Sequence, residues 1–341
     1  MKARAVIFDQ AHHVRTGDIE IPEPTEQDIL VETEVSGVSV GTERWAYIGK
    51  RDEVAFPSVP GYMGVGVIRQ SGEQAARSGW NTGERVYFFA SRLAGEMEGR
   101  SWMGSHLSHA VINVCGPRGN GPLQIHHCEK VPSGLEPEDA ALCGLAGVAL
   151  RGIEMAVVPV GASVLVCGLG VIGQFAAQIC QIKGASVVGT DVVSSRLDVA
   201  KKLGIDHVIH GRETNLAEAS RAIQPNGFDV IIDTSGSAQV VNSLFPLLKL
   251  GGKFVFQGWY PPPSPLDLNA LHQRLPSVFF PCAHSAEAVE AALRWAAKGF
   301  LKTKPLVTHT FKPDDAAQMY EMIAAGSDHF LGIVIDWRKL A

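Results

Sequence analysis

The chain has little that would tie it to metal ribbons, disulfide scaffolds, nucleic acid or membranes. Its six cysteines, at 115, 128, 143, 167, 180 and 282, form no Cys-x-x-Cys pair. That excludes the usual zinc-ribbon and thiol-redox spacings, and several of these thiols sit in apolar runs where cysteine behaves as a small hydrophobe. No charge of one sign dominates: 30 basic and 35 acidic residues, spread evenly, leave a net −5. There is no basic stripe for nucleic acid or a membrane surface, so a small-molecule partner is expected. The amino-terminal MKARAVIFDQ mixes charges with its apolar residues and lacks the unbroken core of an export signal, so a reducing cytoplasm is the expected location. No charge stands between Glu154 and Lys183, which by hydropathy alone reads as a membrane span. Pro159, Gly161, Gly168, Gly170 and Gly173 break that stretch into turn, strand, glycine turn and helix, and the membrane reading is rejected. Repeats, low-complexity tracts and long linkers are absent too, PPPSP at 261–265 being a stiff surface loop.

What is present is a change of rhythm. With 341 residues and 46% apolar content the chain can bury a large core and should divide into about two domains. The first ~110 residues carry short alternating strands such as DILVETEVSGV (28–38), VPGYMGVGVIRQ (59–70) and ERVYFFA (84–90), separated by turn residues. From about Gly147 strands and helices alternate. ASVLVCG leads to a helix through about Lys183, SVVGTD (186–191) to a helix closed by Gly204, and DHVIH, FDVIIDTSG, KFVFQG and PSVFFP follow, with helical stretches around 215–223 and 238–249. This implies an α/β fold, a β-rich module joined to a doubly wound parallel sheet. The expected division is 1–146, 147–281, and a tail at 282–341 that returns to the first module.

GLGVIG occupies 168–173 between a strand and a helix. Gly168 permits the tight turn, Gly170 lets backbone approach a pyrophosphate, and Gly173 allows close helix–strand packing. Val171 and Ile172 place their N–H groups at the positive end of that helix, where an anion belongs. Asp191 ends the second strand, positioned to accept from adenosine ribose hydroxyls and to repel a 2′-phosphate, which favours NAD. Arg196 could pair with that carboxylate, cover the adenine or bind a phosphate. Thr234-Ser235 and Gly258-Trp259-Tyr260 close two later strands at their carboxyl ends, the first expected on the adenosine side and the second at the nicotinamide.

This order of elements resembles the medium-chain dehydrogenase/reductase superfamily over essentially the whole chain. The resemblance implies a GroES-like catalytic domain beside a Rossmann domain. Zinc enzymes of the superfamily carry a first ligand in a Gly-Val-Cys-x-Thr-Asp motif, where SGVSVGTE here offers Ser39 or Val40. At the Gly-His-Glu motif PGYMGVG supplies Tyr62 and Met63, and before Ala-Gly-Val stands Leu145 in place of cysteine. The four-cysteine structural zinc loop near residue 100 is replaced by FFASRLAGEMEGRSWMG. Hydroxyl, phenol, thioether and leucine do not make a zinc site, so no metal is expected. His126-His127-Cys128 is the one other ligand-like run, and adjacent residues of a strand point to opposite faces. Within the superfamily SGVSVGTERWAYIG, VPGY and the terminal VIDW are most similar to the bacteriochlorophyllide a dehydrogenase branch, which oxidises a 1-hydroxyethyl group on a macrocycle with NAD.

Without zinc a side chain must handle the hydroxyl proton. The resemblance implies Thr42, since the family's Ser/Thr here hydrogen-bonds the substrate oxygen. Tyr62 could present its phenol to that oxygen. Glu43 could orient Thr42, contact the cofactor or pair with Arg44, and the family's Gly-x-x-Ala-Glu pattern, if WMGSHLSHAV follows it, implies His106 near the same region on a strand that turns His109 the other way. The expected activity is zinc-independent, NAD(H)-dependent hydride transfer to or from a secondary alcohol or ketone, an activated carbinol above all. An NAD(P)H-dependent quinone or enone reductase and an inactive nucleotide sensor are the alternatives. The resemblance implies a homodimer joined through an edge strand at 276–281.

Overall fold

The computed structural model describes residues 1–100, 102–116, 128–326 and 330–340. His126 and His127 lie outside the described residues. The chain forms two compact units: Met1–Gly144 with Val289–Gly299 and Thr303–Ala341, and Leu145–Ala288 with Phe300–Lys302.

In the first unit the eleven-residue strand Asp28–Val38 is the organising element. It pairs antiparallel with Gly64–Ser71, with His109–Asn113 near its start and with Gly332–Asp336 near its end. Arg85–Phe88, Cys128–Lys130 and Val307–Phe311 extend the sheet. Val, Ile and Phe side chains from these strands, with Phe8, Tyr47, Tyr320 and Trp337, fill the core. Each such side chain stabilises the fold by roughly 1.5–3 kcal/mol on burial. The register sets Ser36 opposite both Gly64 and Ile335, so the segment leading to Ser39 lies between the carboxyl-terminal strand and the backbone that follows Tyr62. The expected strand at 59–70 begins only at Gly64. Pro60 has no N–H to give a ladder, and Gly61 takes φ +91°, turning the chain before pairing starts. The segment after Val38 becomes a helix, Val40–Tyr47, which strand-like composition did not suggest.

The second unit is a parallel sheet in the spatial order His207–His210, Ser186–Asp191, Ser163–Cys167, Phe228–Asp233, Leu248–Phe256, Ser277–Phe279. The order in which strands are added across the sheet reverses between the parallel neighbours Ser163–Cys167 and Phe228–Asp233, the place where doubly wound sheets bind ligands beyond their carboxyl ends. Helix Val171–Ile182 follows Ser163–Cys167, and Ser194–Leu203 ends on Gly204 in the left-handed region. The helix expected through 249 stops at Leu244, because Pro246 forces a 3-10 turn at Phe245–Leu247 before the next strand starts at Leu248. No helix among the described residues is long and apolar enough to cross a membrane.

Candidate active site and cofactor cradle

Gly170 stands just before helix Val171–Ile182 with extended backbone, and a Cβ added there would meet nothing within 4 Å. The three glycines therefore have different jobs. Gly168 has φ +86°, and Gly173 could not bear a side chain, since its Cβ would sit 1.8 Å from the Gly168 carbonyl oxygen. Only Gly170 opens onto free space, beside the unpaired N–H groups of the helix start, Val171 and Ile172 among them.

Asp191 is buried and already engaged. One oxygen accepts the N–H groups of Val192 and Val193 at 2.7 and 2.9 Å; the other accepts that of Leu169, inside the glycine turn, at 2.6 Å. With two lone pairs per oxygen, this leaves one acceptor position for a ribose hydroxyl. The carboxylate thus also ties the second strand to the glycine turn. Arg196 approaches it to 3.7 Å. Thr234 donates its hydroxyl to the Gly168 carbonyl at 2.8 Å, so it braces the turn. Ser235 and Tyr260 both donate to Asp233, at 2.7 and 2.5 Å. Burial pushes the Asp233 carboxyl up, while those hydroxyls pull it down; burial and Asp233 push the Tyr260 phenol well above its ordinary value. Gly236 and Gly258 pack backbone on backbone, which joins the two loops, and Trp259 stands exposed at their rim. Asp233 has no sequence signal beyond ending an apolar strand.

In the first unit Tyr62 donates its hydroxyl to Ser39 Oγ at 2.6 Å. Burial raises the Tyr62 phenol to about 12, against hydrogen bonds with Ser39 and Thr42 that lower it. Thr42 is half-buried beside this pair, on the first turn of Val40–Tyr47. Glu43 points inward and is fully buried: it accepts the Ser39 N–H at 2.7 Å, meets His106 Nε2 at 2.9 Å and accepts the Tyr320 hydroxyl at 2.5 Å. It does not pair with Arg44, whose guanidinium instead donates to the Ala324 carbonyl. His106 is fully buried and lies outside the strand His109–Asn113, so the shared strand expected for His106 and His109 does not exist. Its Nδ1 meets Ser36 Oγ at 2.7 Å, and Ser36 also accepts from Trp337 Nε1 at 2.8 Å.

A family model described as zinc-binding dehydrogenase matches residues 171–298. The L-threonine 3-dehydrogenase of Rhizobium etli is 28% identical over 333 residues, 94% of each chain. The structure of a Sinorhizobium meliloti dehydrogenase bound to NADP superposes with a TM-score of 0.83 at 19% identity, over 98% of this chain and 99% of that one. An Escherichia coli alcohol dehydrogenase complexed with NADH gives 0.82 at 21%, with the same coverage.

Residues 171–298 match the zinc-binding dehydrogenase family, and along nearly its whole length the chain is similar to medium-chain dehydrogenases/reductases.

The residues that the sequence resemblance sets at the zinc-ligand positions are placed as follows. Ser39 and Tyr62 are bonded to each other, Met63 is fully buried, and Leu145 is a buried aliphatic residue of helix Cys143–Met155. Among the described residues no group of three or more His, Cys, Asp or Glu side chains could hold a metal ion. The structure brings Thr42, Tyr62, Glu43 and His106 into one neighbourhood and adds Ser36, Tyr320 and Trp337, which sequence reasoning missed. Tyr320 reads as a core aromatic on an amphipathic helix, and Trp337 drew notice only as part of the terminal VIDW.

Proposed function

We propose that this medium-chain dehydrogenase/reductase moves hydride between NAD(H) and a secondary alcohol or ketone, an activated carbinol in the oxidative direction, without catalytic zinc. The observation that carries the reading is the buried Tyr62–Ser39 hydroxyl pair where the superfamily's metal ligands would stand. Zinc asks for thiolate, imidazole or carboxylate donors converging tetrahedrally, and this donor set does not fit it. The second unit does fit a dinucleotide. Val171 and Ile172 N–H groups and the space at Gly170 suit the pyrophosphate, Asp191 the ribose, and the loops at Thr234-Ser235 and Gly258-Trp259-Tyr260 the flanking rings.

A nicotinamide held there would supply the hydride acceptor for oxidation and the hydride donor for reduction. This chain's residues handle the oxygen. With its phenol at about 12, Tyr62 keeps its proton at neutral pH and so acts as donor, supporting and then protonating the oxygen of a ketone as hydride arrives. In oxidation the same path runs in reverse: Tyr62 takes up the carbinol proton as its own passes to the Ser39 and half-exposed Thr42 hydroxyls and on to water. Hydroxyls stabilise an alkoxide less than a Lewis acid does, which favours carbinols whose neighbouring π system or carbonyl shares the developing charge.

The test is turnover of secondary alcohols and ketones followed by NADH absorbance, with metal analysis of the same protein. Activity in protein without stoichiometric zinc supports the proposal, while zinc-dependent turnover overturns it. A second reading, an NADPH-dependent quinone or enone reductase, is favoured by Arg196, whose buried Nε has no hydrogen-bond partner among the described residues and could turn toward a 2′-phosphate. Titration with NADH and NADPH separates the two; binding of either without any turnover points to a sensor. A homodimer, joined through the edge strand Ser277–Phe279, is proposed for the assembly.

A further inference from the structure

We infer that Tyr320 and Trp337, both from the carboxyl-terminal segment, are positioning residues for the Ser39–Tyr62 hydroxyl pair. The inference rests on the assignment of that pair to the substrate oxygen. Trp337 Nε1 can only donate, and it donates to Ser36 Oγ at 2.8 Å. Ser36 is then free to donate its own proton to His106 Nδ1, 2.7 Å away, which leaves the imidazole proton on Nε2, facing Glu43 Oε2 at 2.9 Å. Tyr320 donates to the same oxygen at 2.5 Å. Every link has one donor and one acceptor, the chain ends on the Glu43 carboxylate, and Ser36, His106, Glu43 and Tyr320 are all fully buried. A network satisfied in this way has one arrangement rather than several.

It grips both halves of the hydroxyl pair. Glu43 Oε1 accepts the Ser39 N–H at 2.7 Å and so fixes the backbone from which Ser39 presents its hydroxyl. On the other side the His106 ring lies against Gly61, whose φ is +91° and whose added Cβ would meet the ring at 2.6 Å, so the imidazole supports the turn immediately before Tyr62. The link from Glu43 to Ser39 is a backbone amide. What passes along the chain is therefore position and not a proton.

Tyr320→Phe and Trp337→Phe each remove one donor and keep the ring or most of the bulk. Made in the wild-type and in the Tyr62→Phe background, each should lower kcat about tenfold to a hundredfold in the first and by less than about twofold in the second, with KM and NADH affinity unchanged. Equal losses in both backgrounds overturn the inference. A readout free of turnover is the 13C resonance of the Tyr62 phenol in tyrosine-labelled protein, followed through its alkaline titration: both variants should move the resonance or its midpoint, and an unmoved signal refutes positioning. Should Tyr320→Phe fail to fold, Trp337→Phe at the far end of the chain carries the same comparison. Absence of turnover in the wild type would defeat the proposed activity alone, and the resonance would still decide this point.

Discussion

Gly170 and Gly173 sit three residues apart in one motif, yet an alanine should act differently at each. A Cβ at Gly170 meets nothing within 4 Å, whereas at Gly173 it lies 1.8 Å from the Gly168 oxygen. Gly170→Ala should therefore change folding stability by no more than about 1 kcal/mol while weakening NADH binding, because the methyl takes the space a pyrophosphate needs. Gly173→Ala should cost about 1–3 kcal/mol by overpacking. Thermal denaturation beside NADH fluorescence titration checks the pair, and equal effects on stability would contradict it. Tyr62 gives a second prediction. Its phenol ionises at 10.0 in an open chain and about 12 when buried in the fold. The unfolded chain thus releases this proton first, so the stability is intact below pH 10 and lost as pH rises from 10 through about 12. The loss is on the order of 3 kcal/mol. Urea denaturation across that window should show a shallower alkaline decline for Tyr62→Phe than for the wild type.

At the scale of elements, helix Val40–Tyr47 explains what was hidden in the sequence. Its N-cap is Ser39, a residue that usually caps with its hydroxyl. Here the hydroxyl makes no cap bond and accepts from Tyr62, while Glu43 reaches back to the Ser39 N–H in the manner of a capping box. Ser39→Ala should consequently spare the cap but take the acceptor from the buried Tyr62 hydroxyl, costing about 1–3 kcal/mol and reducing ketone turnover, a combination that stability and rate measurements on one variant can test. The α/β sheet was legible because its strands are apolar runs that end in Gly, Asp or Thr, and Asp28–Val38 and Ser186–Asp191 match the structure residue for residue. The surroundings of Glu43 were not legible. Its partner Tyr320 is 277 positions away, and Trp337 is 301 from Ser36. Periodicity identifies such residues as core but cannot say which polar tip meets which. The Arg44 pairing failed for the same reason: neighbours in sequence diverge once the segment becomes a helix.

For the whole molecule the open question is what covers the outer strand of the parallel sheet. Ser277–Phe279 has a strand on one side only among the described residues, and it is flanked by Leu275 and Phe280, each 65% exposed. An edge of unpaired N–H and C=O groups with apolar flanks invites pairing with another chain. A second copy related by a two-fold axis would satisfy those groups and bury the flanks on both sides at once, because the same patch meets itself. Sedimentation should then give twice the chain mass at micromolar concentration. Val278→Lys with Phe280→Lys places like charges across the axis and should return single chains, while NADH binding persists, since the glycine turn after Ser163–Cys167 and Asp191 at the end of Ser186–Asp191 lie on the far side of Phe228–Asp233. A wild-type protein that sediments as a single chain would refute the edge-to-edge dimer, and so would a lysine variant that stays double.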